Sequence, residues 1–197
     1  MHYILDQKAR KTAIHEASLL REMQGRIFIN FMPNTIYDPE ICLRTTMESA
    51  HEYGVPLSRL VFEVVETEQI PDVKKLERIL DYYRRHGVGT FVDDMGAGYA
   101  SVEYLAALRP DFVKRDRALA ARAEHEKEAR KKMDVIVPQA KSLGITVIAE
   151  GIETSAQLQL CRETGPDLLQ GYLFGLPANP PVLSVDEIEI FPGEVCG

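Results

Sequence analysis

Six short runs rich in Val, Ile and Phe recur along the chain, and longer amphipathic stretches separate them. They are RIFINF (26–31), RLVFEVV (59–65), GTFVDD (89–94), DFVKRD (111–116), ITVIAE (145–150) and LLQGYLF (168–174). Most are apolar on both faces, the pattern of parallel strands covered by helices. The stretch DVKKLERILDYYRRHG is typical of the intervening segments. Val73, Leu76, Ile79, Leu80 and Tyr83 form one apolar stripe, Asp72 stands at the N-cap and Gly87 follows the last turn. In the segment after residue 153, Thr154 and Gln157 have the spacing of a capping box. The most polar stretch, 115–134, reads as a solvated helix face or an interface helix, and Glu16 as a surface helix residue.

Alternating βα units give either an open doubly wound sheet or a (β/α)8 barrel. Polar residues favour the barrel. Asn30, Glu63, Asp93 with Asp94, Lys114 with Asp116, Glu150 and Gln170 all fall late in, or just after, their strands. In a barrel such strand ends converge on one mouth, where residues from different strands meet. A lone carboxylate at a strand end is otherwise a helix cap, and that alternative stays open for Asp94. An ordinary ion pair remains the alternative for Lys114 and Asp116. Strand alternation puts these two on one face, toward the barrel interior.

Composition narrows the function. A formal charge of −7 argues against binding long nucleic acid. A small phosphorylated ligand fits if metal ions bridge the negative charges. No apolar run is long enough to span a bilayer, and the charged N-terminus does not resemble a signal peptide. Cys42, Cys161 and Cys196 show neither metal-ligand spacing nor even pairing, which points to a reducing cytoplasm. The candidate ligands are Asn, Glu and Asp oxygens, suited to Mg²⁺ or Mn²⁺.

In order along the chain, INFMP, FEVVETEQIPD, DDMGAGYAS, PDFVKRD, VIAEGIET and QGYLFGLP resemble the motifs of the EAL family of cyclic-di-GMP phosphodiesterases. The resemblance covers roughly residues 5–180, and so many motifs in order are highly specific. It implies a TIM-type α/β barrel over 1–180, with about six βα units here and the first strands missing, then a C-terminal extension, 181–197. It also implies two Mg²⁺ or Mn²⁺ ions. Asn30, Glu63 and Asp93 would hold one, and Asp93, Asp94 and Glu150 the other. Lys114 would position the attacking water, with Glu150 as ligand and possible base. Glu66 would hold the loop after Asp94, where Gly96 and Gly98 allow unusual backbone angles. Asp116, Glu153 and Gln170 would contact substrate or organise the rim.

Two departures accompany the resemblance. The Glu-Ala-Leu motif is absent from the 197 residues, and Arg115 stands where the family has an apolar residue. The expected activity is therefore an impaired hydrolysis of cyclic-di-GMP to the linear dinucleotide. The alternative is a non-catalytic module that binds cyclic-di-GMP or protein partners. The resemblance implies pairing through the Asp-Asp loop and the charged helix after Asp116, and open sheet edges add a second reason to expect a homodimer or larger oligomer. Arg115 points away from the barrel interior, where it needs water or a carboxylate to escape the cost of burial.

Overall fold

The structure, a computed structural model, describes residues 2–20, 25–32, 36, 38–64, 73–95, 102–115, 117–123, 125–178 and 181. In chain order the elements are α1 (His2–Leu19), β1 (Ile27–Phe31), α2 (Pro39–Tyr53), β2 (Leu60–Val64), α3 (Val73–Arg85), β3 (Gly89–Met95) and α4 (Val102–Leu108). Then come β4 (Phe112–Arg115), α5 (Arg117–Ala123), α6 (Lys127–Ser142), β5 (Thr146–Ala149), α7 (Ser155–Thr164) and β6 (Leu168–Leu169). The strands form one six-stranded sheet in sequential order, and every pairing is parallel. Among the described residues β1 and β6 are its open edges. This is the wall of an incomplete barrel.

Local sequence sets the helix boundaries. Asp38 accepts a hydrogen bond from the Glu40 amide at 2.9 Å, Pro39 opens α2, and Gly54 closes it at φ 68°. Thr154 and Gln157 form the expected capping box of α7. On α3 the stripe Leu76, Ile79, Leu80 and Tyr83 is buried, but Val73 in the first turn is exposed; Asp72 lies outside the described residues.

Strand alternation divides the core in two. Ile29 and Phe31 of β1, and Leu60, Phe62 and Val64 of β2, face the helices and pack with Ile14, Leu43 and the α3 stripe. On the opposite face Val61, Phe91, Phe112 and Ile148 form a separate cluster. The Phe28 ring meets those of Phe91 and Phe112 edge-on at 5.5 and 5.4 Å. These five residues floor the barrel interior.

Several expectations need correction. The sixth run forms a strand only at Leu168–Leu169, not through 174. Gly171 is packed against the Ile152 backbone, and Phe174 N–H turns back to the Gly171 carbonyl at 3.1 Å. Stretch 115–134 is not one polar helix. It comprises the end of β4, α5 and the start of α6, with a break at residues 125–126. Leu119, Ala123 and Ala129 pack under Leu160 of α7, so small apolar residues among the charges give this stretch a buried face. Arg115 reaches neither expected refuge. It is 1% exposed, and it donates to Thr164 Oγ1 at 3.0 Å and to Cys161 Sγ at 3.1 Å on α7. Its Nε has no hydrogen-bond partner among the described residues. The helix layer over β4 is closed, and a hydroxyl and a thiol take the place of a carboxylate.

A second buried guanidinium was not legible. Arg10 on α1 pairs with Asp6 at 2.7 Å and lies over the Phe62 ring at 4.8 Å. Burial raises the Asp6 carboxyl above its usual range despite Arg10. Asp6 also accepts the Met32 amide at 3.4 Å, tying α1 to the end of β1. Glu16 lies on the exposed side of α1, as expected.

Candidate functional site

Two residues beyond each floor residue, on the same strand face, stand Asn30, Glu63, Asp93, Lys114 and Glu150. Asn30 is in register with Glu63, at the exposed edge of the sheet. Lys114 is the centre of the group. Its Nζ lies 2.7 Å from Glu63 Oε1, 3.4 Å from Glu150 Oε2 and 3.9 Å from Asp93 Oδ1. The Phe91 ring lies below, its centroid 5.1 Å from the ammonium. One strand-borne cation therefore joins carboxylates from three other segments.

The Lys114 and Glu63 side chains are each 11% exposed, so water screens this pair weakly. Burial alone would lower the Lys114 pKa, but its hydrogen bond to Glu63 and the charges of Glu63, Asp93 and Glu150 hold it above its ordinary value. Burial also pushes the Glu63 carboxyl up; Lys114 opposes this, and Asp93 adds to it. Burial is the main cause for Glu63, whereas the surrounding acids are the cause for Lys114. Three acids share one ammonium, so Lys114 keeps its proton, while burial makes Glu63 hold one longer than an exposed glutamate.

The strand carrying the adjacent aspartates is irregular. Val92 pairs with Val113 and Met95 with Arg115, so three steps on β3 face two on β4. The extra residue is a bulge at Asp93–Asp94. A regular strand would send the second of two adjacent carboxylates into the helix layer, at a large desolvation cost. A bulge interrupts that alternation locally. Two charged residues in succession mark the strand as unusual, but the bulge itself is set by its register against β4. The Asp94 side chain lies outside the described residues, as do Glu66, Gly96, Gly98 and Asp116.

Glu150, Glu153 and Gln170 line a cleft of about 390 Å³ with Gly171, Tyr172 and Leu176. The β5–β6 junction builds it: Gln170 N–H donates to the Ala149 carbonyl at 2.8 Å, and Ile152 N–H to the Gln170 carbonyl at 3.2 Å. Glu153 N–H donates to Gln157 Oε1 at 2.7 Å, so the capping side chain of α7 also fixes the rim. Tyr172 and Leu176 are exposed there and were not singled out from sequence. The structure thus joins Glu63, Asp93, Lys114 and Glu150 in one cluster, with Glu150 also reaching the cleft of Glu153 and Gln170.

The donor set suits a hard divalent cation. It offers carboxylate and amide oxygens, and Glu63, Asp93 and Glu150 formally exceed Lys114 by two negative charges. Among the described residues, however, no three acidic, imidazole or thiol side chains already converge as a ligand set.

Residues 1–177 match the family of the EAL domain. The fold is similar to that of a standalone EAL protein from Vibrio cholerae O395 in its c-di-GMP-bound form. That likeness has a TM-score of 0.82 and 36% identity, and it covers 90% of this chain and 74% of that one. A manganese and cyclic-di-GMP complex of Klebsiella pneumoniae BlrP1 is similar at TM-score 0.82 and 29% identity, covering 89% of this chain and 45% of the other. In sequence the chain is 35% identical over 119 residues to the cyclic di-GMP phosphodiesterase PdeL of Escherichia coli K12, covering 60% of this chain and 33% of PdeL. An uncharacterized Azorhizobium caulinodans protein is 33% identical over 149 residues, which are 76% of this chain and 20% of that protein. The chain thus spans a third or less of these curated relatives. It belongs to the EAL domain family.

Proposed function

We propose that the chain is a cyclic-di-GMP phosphodiesterase domain of low turnover, hydrolysing one phosphodiester bond to give linear pGpG. The observation that carries this reading is the Lys114 ammonium among Glu63, Asp93 and Glu150, with Glu150 also lining the adjoining cleft. Cyclic-di-GMP complexes and phosphodiesterases among the similar proteins support it.

In this reading Asn30, Glu63 and Asp93 hold one Mg²⁺ or Mn²⁺, and Asp93, Asp94 and Glu150 the second. Bound ions supply activation of water at neutral pH and neutralisation of phosphoryl charge. The Lys114 ammonium donates to a non-bridging phosphoryl oxygen and orients the attacking water. Glu150 accepts the water proton at a carboxylate oxygen. A new O–P bond forms as the opposite P–O bond to the ribose breaks, in line; the leaving ribose oxygen takes a proton from water and becomes a hydroxyl, and the ring opens. Asp116, Glu153 and Gln170 would contact the ligand or organise the rim, and Glu66 would hold the loop after Asp94. The domain extends over 1–180, with 181–197 an extension. For these 197 residues by themselves low turnover is expected, because their own donor set holds no Glu of a Glu-Ala-Leu motif.

A non-catalytic cyclic-di-GMP-binding or protein-interaction module is the second reading, favoured by the close Lys114–Glu63 pairing at 2.7 Å. Calorimetric titration with cyclic-di-GMP and Ca²⁺ tests the ligand. Binding that weakens in Gln170→Ala and Glu153→Ala is expected. Absence of binding rules out the phosphodiesterase and ligand-binding readings together.

A reducing cytoplasm suits the buried free thiols of Cys42 and Cys161. No described helix is long and apolar enough to cross a membrane. The assembly we propose is a homodimer or larger oligomer, supported by Phe28 at one open edge and Leu168 and Leu169 at the other, all at least 40% exposed. Light scattering at low micromolar concentration should give at least twice 22.2 kDa. A cooperatively melting monomer contradicts it.

A further inference from the structure

Three carboxylates facing one small interior repel one another unless a cation stands between them. Glu63 and Asp93 stand on adjacent strands, Asp93 two residues beyond the register partner of Glu63, Phe91, and both carboxylates face the same ammonium. Here the cation is Lys114. Its Nζ is within 4 Å of all three acids, closest to Glu63, and both members of that pair are 11% exposed. Among the described residues no acidic group of three already forms a ligand set. A lysine ammonium is a compact point charge on a flexible stem, able to swing without moving its strand. The Phe91 ring, 5.1 Å from the ammonium where it meets Glu63, can keep contact with the ammonium as it moves.

We infer that Lys114 is an internal counter-ion that occupies the cation position of this site, and that a divalent cation binds only as the Lys114 ammonium withdraws from Glu63. The inference rests on the metal-site reading above and adds to it a competition within the chain. Lysine holds the site together without metal and opposes metal when it arrives. Affinity for the ion is then set partly by how tightly Lys114 grips Glu63.

The experiment measures Mn²⁺ affinity, not turnover. Free Mn²⁺ is followed by electron paramagnetic resonance in wild type, Lys114→Met, Lys114→Gln and Lys114→Arg, each first checked for folding by circular dichroism. Removing the competing charge should tighten Mn²⁺ binding about tenfold in the Met and Gln variants, a modest share of the Coulomb energy of charges at such distances. Lys114→Arg, which keeps the charge, should bind no tighter than wild type. If wild type binds and the Met and Gln variants bind no tighter, the competition is overturned while the metal site stands. If none of the folded proteins binds Mn²⁺, the metal-site reading itself fails and takes the inference with it. A measurement on unaltered protein covers variants that do not fold. Saturating Mg²⁺ should shift the Lys114 side-chain ammonium resonance as its bond to Glu63 is lost, and an unmoved resonance overturns the inference.

Discussion

Gly171→Ala lowers the stability of the protein by about 3 kcal/mol, the upper part of the range for overpacking a filled site. A Cβ at this position would stand 2.1 Å from the Ile152 carbonyl oxygen and 2.3 Å from its nitrogen. Neither atom is free to retreat. Ile152 N–H donates to the Gln170 carbonyl at 3.2 Å, and the Ile152 carbonyl accepts from Leu173 at 3.0 Å. Its side chain is buried with Ala149, Leu158 and Cys161. The methyl therefore forces apart the junction that sets Gln170 beside Glu150 and Glu153. Urea unfolding measures the loss. A midpoint equal to wild type would show that β5 and β6 do not meet this closely.

Asp93→Asn abolishes the rise in melting temperature that Mg²⁺ or Mn²⁺ gives the wild-type protein. Ligand at a hundred times its dissociation constant stabilises by about 2.7 kcal/mol. Asp93 is proposed as a ligand of both ions, so no single partner compensates for its charge. Asn keeps the shape of Asp, and the fold need not change. It also removes a negative charge beside Glu63, so the metal-free variant should melt no lower than wild type. Thermal scans with and without metal read both quantities. A variant that responds to metal as wild type does removes the two-metal assignment.

Strand order and the polar layer above the phenylalanine floor were legible because period-two alternation is a local property. Once Phe91 faces inward, Asp93 follows, and likewise Phe112 carries Lys114. Features set by distant partners were not. The bulge at Asp93–Asp94 depends on pairing between β3 and β4. The early end of β6 depends on Gly171 meeting a backbone nineteen residues upstream. Arg115 was expected at water or a carboxylate, because no sequence rule reveals that Thr164 and Cys161 of α7 would lie over it. Arg10 looks like any charged residue on an amphipathic helix until the Phe62 ring is found beneath it. Small apolar residues hide the buried face of α5 for the same reason, since their neighbours are mostly charged.

Incubation of cyclic-di-GMP and Mn²⁺ with excess protein, followed by chromatography of the nucleotides, measures hydrolysis itself. Linear pGpG is expected to form more slowly than about 1 s⁻¹, below ordinary turnover. Lys114→Ala and Glu150→Ala should each eliminate that product while remaining folded. Product formed at 1 s⁻¹ or faster would contradict the claim of low turnover. Product undiminished in Lys114→Ala would contradict the site itself.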